Sequence, residues 1–133
     1  MSTFLTLGKH GDVVSILPIL HHEFETTGDK PTLVVSEPYS AIPKELDYIN
    51  TVIYPGAWND LPGAIAFCKQ RFSQFCAPQM YGTTFQPRRS TPSFQLDQWA
   101  RCGALDLWGK LPLVVPKKRL LSGVSWALYG VGE

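Results

Sequence analysis

Apolar residues fall along this chain in short β-branched runs, separated by stretches in which they recur every three or four positions. The first run, Phe4-Leu5-Thr6-Leu7, is ended by Gly8 and Gly11, which predicts a buried strand over 3–7 entering a glycine turn. Val13, Ile16, Leu17, Leu20 and Phe24 then share a helical face until Gly28. With Asp12 as N-cap, a helix is expected over about 12–27. Pro18 deletes a backbone hydrogen bond inside that span and is expected to kink the helix or delay its regular part. A second run, Pro31-Thr32-Leu33-Val34-Val35-Ser36, completes a strand, turn, helix and strand, a unit that closes as a right-handed crossover between parallel strands.

Further along, a short helix near 39–45 precedes a strand over 50–54, and Pro55-Gly56 breaks the chain. Leu61, Ile65, Phe67, Cys68 and Phe72 predict a second long helix. A fourth strand is expected over 74–81, where Pro78 marks an edge, a bulge or an early end. After a loop containing Gly82, Pro87, Arg88, Arg89 and Pro92, residues 93–102 read as a helix with Phe94 and Trp99 inward and Gly103 as its stop. Residues 111–115 are a fifth strand candidate. The expected fold is α/β and Rossmann-like, a mainly parallel sheet with flanking helices, over 1–115. Residues 116–133 carry Lys117-Lys118-Arg119 and several large apolar residues without a period, and read as an atypical tail or truncated linker.

Composition narrows the class. At 133 residues the chain is the size of one domain of roughly 100–150 residues. Its 44% hydrophobic content is too high for a disordered segment and sufficient for one core. A formal charge of +1 provides no whole-chain attraction to nucleic acid or anionic lipid. No apolar run approaches the ~20 residues of a membrane span, and the N-terminus lacks the basic start and apolar core of a signal peptide. Cys68, Cys76 and Cys102 match neither a disulfide framework nor a metal pair, so reduced thiols in a cytoplasmic protein are expected. They read as small buried hydrophobes.

Candidate chemistry centres on Gly8-Lys9-His10-Gly11-Asp12, where the first strand meets the first helix. In open α/β sheets that carboxyl edge is where ligands bind. The loop offers GxxG rather than the GxGxxG of a dinucleotide site, and Asp12 occupies the positive helix end that a phosphate would use. A carboxylate kept ionised there can act as a general base toward a hydroxyl. The plainer reading of Asp12 is a helix cap worth ~1 kcal/mol.

Gly11-Asp12-Val13-Val14-Ser15-Ile16-Leu17-Pro18-Ile19-Leu20 resembles the GD-(I/V)-(L/V)-x-x-x-P-x-L segment that opens the family 9 glycosyltransferases, the ADP-heptose:lipopolysaccharide heptosyltransferase family. Pro31-Thr32-Leu33-Val34-Val35 and Tyr48-Ile49-Asn50-Thr51-Val52-Ile53 follow in family order, so the resemblance covers residues 3–115. It implies the N-terminal half of a GT-B fold, whose two Rossmann-like domains hold the active site between them. In that family the N-terminal domain mainly holds the acceptor and the C-terminal one the nucleotide-sugar, transfer is inverting and needs no metal, and the aspartate of the GD motif is the proposed base. By position that aspartate is Asp12. The resemblance thus implies a nucleotide-sugar donor such as ADP-heptose, a glycan or lipopolysaccharide-like acceptor, no cofactor, and inactivity of this half alone. Two features depart from the family pattern: Lys9-His10 replaces small or apolar residues, and the stretch after Val115 does not resemble an interdomain linker.

The remaining candidates are secondary. His10 could position a hydroxyl or phosphate beside Asp12, although a lone loop histidine is more often a solvated surface group. Arg88 and Arg89 could clamp an acidic sugar or phosphate, against the plainer reading of a solvated loop. His21 and His22, adjacent on a helix and pointing ~100° apart, cannot share a metal and read as surface. Trp58, Trp99 and Trp108 read as core or domain-interface residues. An exposed apolar cleft wall would favour self-association or a partner domain. The rival reading is a stand-alone Rossmann-like binding or interaction module without catalysis.

Overall fold

The structure, a computed structural model, describes residues 2–8, 10–78 and 98–114. Three parallel strands form its sheet: β1 (Thr3–Leu5), β2 (Thr32–Ser36) and β3 (Asn50–Tyr54), in the order β1-β2-β3. Helix α1 (His10–Thr27) links β1 to β2. A 3₁₀ turn (Glu37–Tyr39) and the single-turn α2 (Ala41–Lys44) link β2 to β3, and α3 (Leu61–Arg71) follows β3. The arrangement is α/β and consistent with a Rossmann-like fold.

Side chains of β1 and β2 alternate between two apolar layers, as the period of a strand requires. Phe4, Leu33 and Val35 pack with Val13, Ile16, Leu17 and Leu20 of α1, while Leu5, Leu7 and Val34 pack with Leu61, Ala64 and Cys68 of α3. The sheet is therefore covered on both faces, the normal environment of parallel strands.

Beyond β3 the chain returns across the sheet to the far side of β1. Cys76 bridges Phe4 in parallel, accepting from the Leu5 N–H at 2.8 Å and donating to the Thr3 carbonyl at 2.9 Å. The spatial order is thus Cys76, β1, β2, β3. The expected fourth strand, 74–81, is reduced to this single bridge among its described residues 74–78, and 79–81 lie outside them. Pro78, which cannot donate to a ladder, follows two residues later.

Several expectations move. β1 ends at Leu5 rather than Leu7, β2 starts at Thr32 rather than Pro31, and the helix expected near 39–45 is split into a 3₁₀ turn and α2. Residues 98–101 are helical, Trp99 is buried and Gly103 ends the turn at φ +73°, as expected; residues 93–97, with Phe94, lie outside the described residues. Residues 111–114 of the fifth strand candidate form no strand, and Val115 lies outside the described residues. Pro112 interrupts any ladder there. Leu111 and Val114 instead pack on the α1 layer, and the Val114 carbonyl accepts from the Tyr48 hydroxyl at 2.7 Å.

Helix α1 runs on through Pro18. From Val13 to Leu20 it is buried all round, because the sheet covers one side and Trp99, Ala104 and Trp108 pack against the same layer. At the N-terminus of α3 the Asp60 carboxylate accepts from the Gly63 N–H at 3.2 Å and from the Tyr54 hydroxyl at 2.7 Å, which joins the cap to the end of β3.

Candidate functional site at the carboxyl edge

The chain order creates a topological switch point. α1 leaves β1 over one face toward β2, whereas α3 returns over the other face to Cys76, so the connections diverge between β1 and Cys76. Open α/β sheets bind ligands outside the carboxyl ends of the strands at such a point.

Each strand end delivers a ring to this edge. After β1, Gly8 turns the chain at φ +128°, a conformation closed to residues with a Cβ, and His10 opens α1. After β2 comes Tyr39, and after β3 comes Trp58. His10 meets Tyr39 edge-to-face at 5.0 Å between centroids, and Tyr39 meets Trp58 edge-to-face at 6.3 Å. All three rings are half-buried. The sequence alone does not bring these three residues together. The available signal was that each ring lies within a few positions of a strand's carboxyl end.

Polar atoms at the same edge lack partners. The hydroxyls of Thr6, just after β1, and Ser36, the last residue of β2, are buried without a hydrogen bond, as is Nδ1 of His10. Burial lowers the His10 pKa below its ordinary value, so the imidazole is neutral near pH 7. This corrects the expectation of a solvated loop histidine: His10 belongs to the first turn of α1 and packs on Tyr39.

Asp12 is likewise displaced from its expected place. It is the third residue of α1, not its N-cap, because the helix begins at His10. Its carboxylate still sits in the first turn, where the positive end of the helix favours negative charge. Its backbone carbonyl accepts from the Ser15 hydroxyl at 3.0 Å. His10 and Asp12, two positions apart on a helix, point about 200° apart, so they do not share a helical face as the paired reading required. Gly11 is also helical, and a Cβ there would meet nothing within 4 Å. Lys9, Arg88 and Arg89 lie outside the described residues.

Elsewhere, His21 is half-buried, edge-to-face with Tyr48 at 4.9 Å and 3.6 Å from Glu25, rather than plain surface. Trp99 is a core residue, as expected. Cys68 is buried, as expected, but Cys76 and Cys102 are half-buried and adjacent, contrary to the reading of all three as small buried hydrophobes. Among the described residues no group of three or more His, Cys, Asp or Glu is placed to hold a metal, and no helix is long and apolar enough to cross a membrane. The large hydrophobic residues exposed among them are Leu105 and Leu113. No protein-family model, curated protein or solved structure matches the chain.

Proposed function

We propose that this chain is the acceptor-binding, N-terminal domain of an inverting, metal-independent glycosyltransferase similar to the family 9 enzymes, a GT-B half that works with a donor-binding domain. The observation that carries the reading is the GD segment, Gly11-Asp12, in the first turn of α1 at a carboxyl edge that carries three rings and three unpartnered polar atoms. Aromatic rings offer packing surface to the C–H faces of a sugar, and the Thr6, Ser36 and His10 polar atoms offer hydrogen bonds to its hydroxyls.

In this reading Asp12 takes the proton of the acceptor hydroxyl as that oxygen attacks the anomeric carbon. The nucleoside diphosphate leaves from the opposite face, so the configuration inverts in one displacement. Gly8, Lys9, His10 and Gly11 line the acceptor side, and Arg88 and Arg89 meet acidic groups of a glycan or lipopolysaccharide-like acceptor. The nucleotide-sugar, such as ADP-heptose, is held mainly by the second domain.

The test is sugar transfer by this chain joined to the donor-binding domain of a family 9 enzyme, with core oligosaccharide as acceptor. Transfer that is lost in Asp12→Asn supports the proposal. Transfer indifferent to Asp12, or none from a fusion whose two domains are both folded, overturns it.

A further inference from the structure

At the amino end of the sheet, away from the switch point, Ser2, Thr3, Glu23, Gln74, Cys76, Arg101 and Cys102 are among the residues lining a cleft of about 350 Å³. Two of its wall residues are thiols whose sulfurs lie 4.0 Å apart, although the residues are 26 positions apart in sequence. They come from different parts of the fold. Cys76 is the residue bridged to β1, and Cys102 follows the helical residues 98–101 that pack over α1. Both are half-buried and both border the cleft, so a small reagent can reach them.

We infer that Cys76 and Cys102 form a redox-responsive thiol pair, which a low-molecular-weight disulfide entering the cleft converts to an intramolecular disulfide. Closure requires the sulfurs to approach from 4.0 Å to the ~2.05 Å of a disulfide bond, a movement within reach of side-chain rotation. Cys76 is the attacking group. Its thiolate accepts from Cys102 and faces the Arg101 guanidinium, which lowers its pKa, whereas the hydrogen bond to Cys76, then burial and the charges of Cys76 and Glu23, push that of Cys102 upward. When protonated, the Cys76 thiol has the Arg101 carbonyl as acceptor at 3.2 Å.

The exchange proceeds in two displacements. The Cys76 thiolate attacks one sulfur of the small disulfide, forming a mixed disulfide and releasing one thiolate. Cys102, losing its proton to that released thiolate, attacks the Cys76 sulfur and expels the second thiolate, which takes a proton from water. Two protein thiols are oxidised and one small disulfide is reduced to two thiols. The third cysteine is a built-in control: Cys68 is buried in the α3 layer and its pKa is pushed up to about 11, so it stays out of exchange.

The experiment equilibrates the full chain, folded, in buffers of increasing oxidised-to-reduced glutathione ratio, quenches with acid, alkylates free thiols and maps peptides by mass. A Cys76–Cys102 peptide, two hydrogens lighter than the reduced pair and present within single chains, is expected, with Cys68 alkylated. Cys102→Ser should instead accumulate glutathione on Cys76. Thiols that stay reduced at every ratio in the wild-type chain, a disulfide that recruits Cys68, or one that joins two chains would each overturn the inference. The wild-type result decides whether or not the variant folds.

Discussion

The indole N–H of Trp99 donates to the backbone carbonyl of Ser15 at 2.9 Å, inside helix α1 and one turn before Pro18. Pro18 has no N–H for the Val14 carbonyl, and its ring crowds the preceding turn. The indole does not replace that missing donor; it adds a bond from outside the helix to the next carbonyl, that of Ser15, and so ties the helical residues 98–101 to α1. The buried Trp99 packs on the same layer, edge-to-face with Trp108 at 5.2 Å.

Replacing Trp99 separates the bond from the packing. Trp99→Phe keeps a ring but removes this second donor to the Ser15 carbonyl, which should cost about 0.5–1.5 kcal/mol. Trp99→Ala adds a cavity and should cost about 3–5 kcal/mol. Urea unfolding of the three proteins measures both; a Phe variant as stable as the wild type would show that the indole bond is idle.

Gly63 sits in the first turn of α3, where alanine would ordinarily be the better helix former by ~1 kcal/mol. Here an added Cβ would run into the Asp60 carboxylate and the Tyr54 hydroxyl. The Asp60 cap also carries the bond from Tyr54, so neither atom can yield without loosening α3 from β3. Gly63→Ala should therefore destabilise by about 1–3 kcal/mol, as overpacking does. A raised melting temperature in that variant would show that propensity wins.

Some elements could be read directly from the chain, for local reasons. β3 coincides with its expected bounds because a β-branched run ends abruptly at Pro55-Gly56. The parallel sheet also follows the pattern, since strands covered on both faces read as continuous apolar runs. Failures cluster where partners are distant. An apolar run at 111–115 resembles a strand, but strands need a neighbour, and Pro112 denies one. Asp12 is a good cap by residue type, yet the helix starts two residues earlier around His10. His10, Tyr39 and Trp58 come from three separate connections, and Cys76 and Cys102 lie 26 positions apart, so only the topology unites them.

Acidification should weaken the fold through His10. Burial lowers its folded-state pKa, so between the unfolded value near 6.5 and the lower folded value the unfolded chain binds more protons. The contribution is whole above pH 6.5 and is lost as pH falls through that window. Stability measured from pH 7.5 to 5 should therefore decline less steeply in His10→Gln than in the wild type; identical slopes would remove His10 from the acid response.

Asp12→Asn, made in the chain fused to a donor-binding domain, distinguishes chemistry from helix stabilisation. Asp12 is not the cap, so the substitution costs no cap and weakens a charge–helix interaction worth roughly 0.3–1 kcal/mol. The amide cannot accept a proton at neutral pH. Turnover should fall by about 10²–10⁴-fold with little change in melting temperature.

Nuclear magnetic resonance titration of the isolated chain, with backbone amides assigned, tests the acceptor-domain reading most directly. Heptose-containing core oligosaccharide should shift amides of Thr6, Gly8, His10, Asp12, Ser36, Tyr39 and Trp58 in a saturable way, and ADP-heptose should bind weakly at best. Low-micromolar binding of the nucleotide-sugar to this chain alone, or an oligosaccharide that leaves the carboxyl-edge amides unmoved, would contradict it.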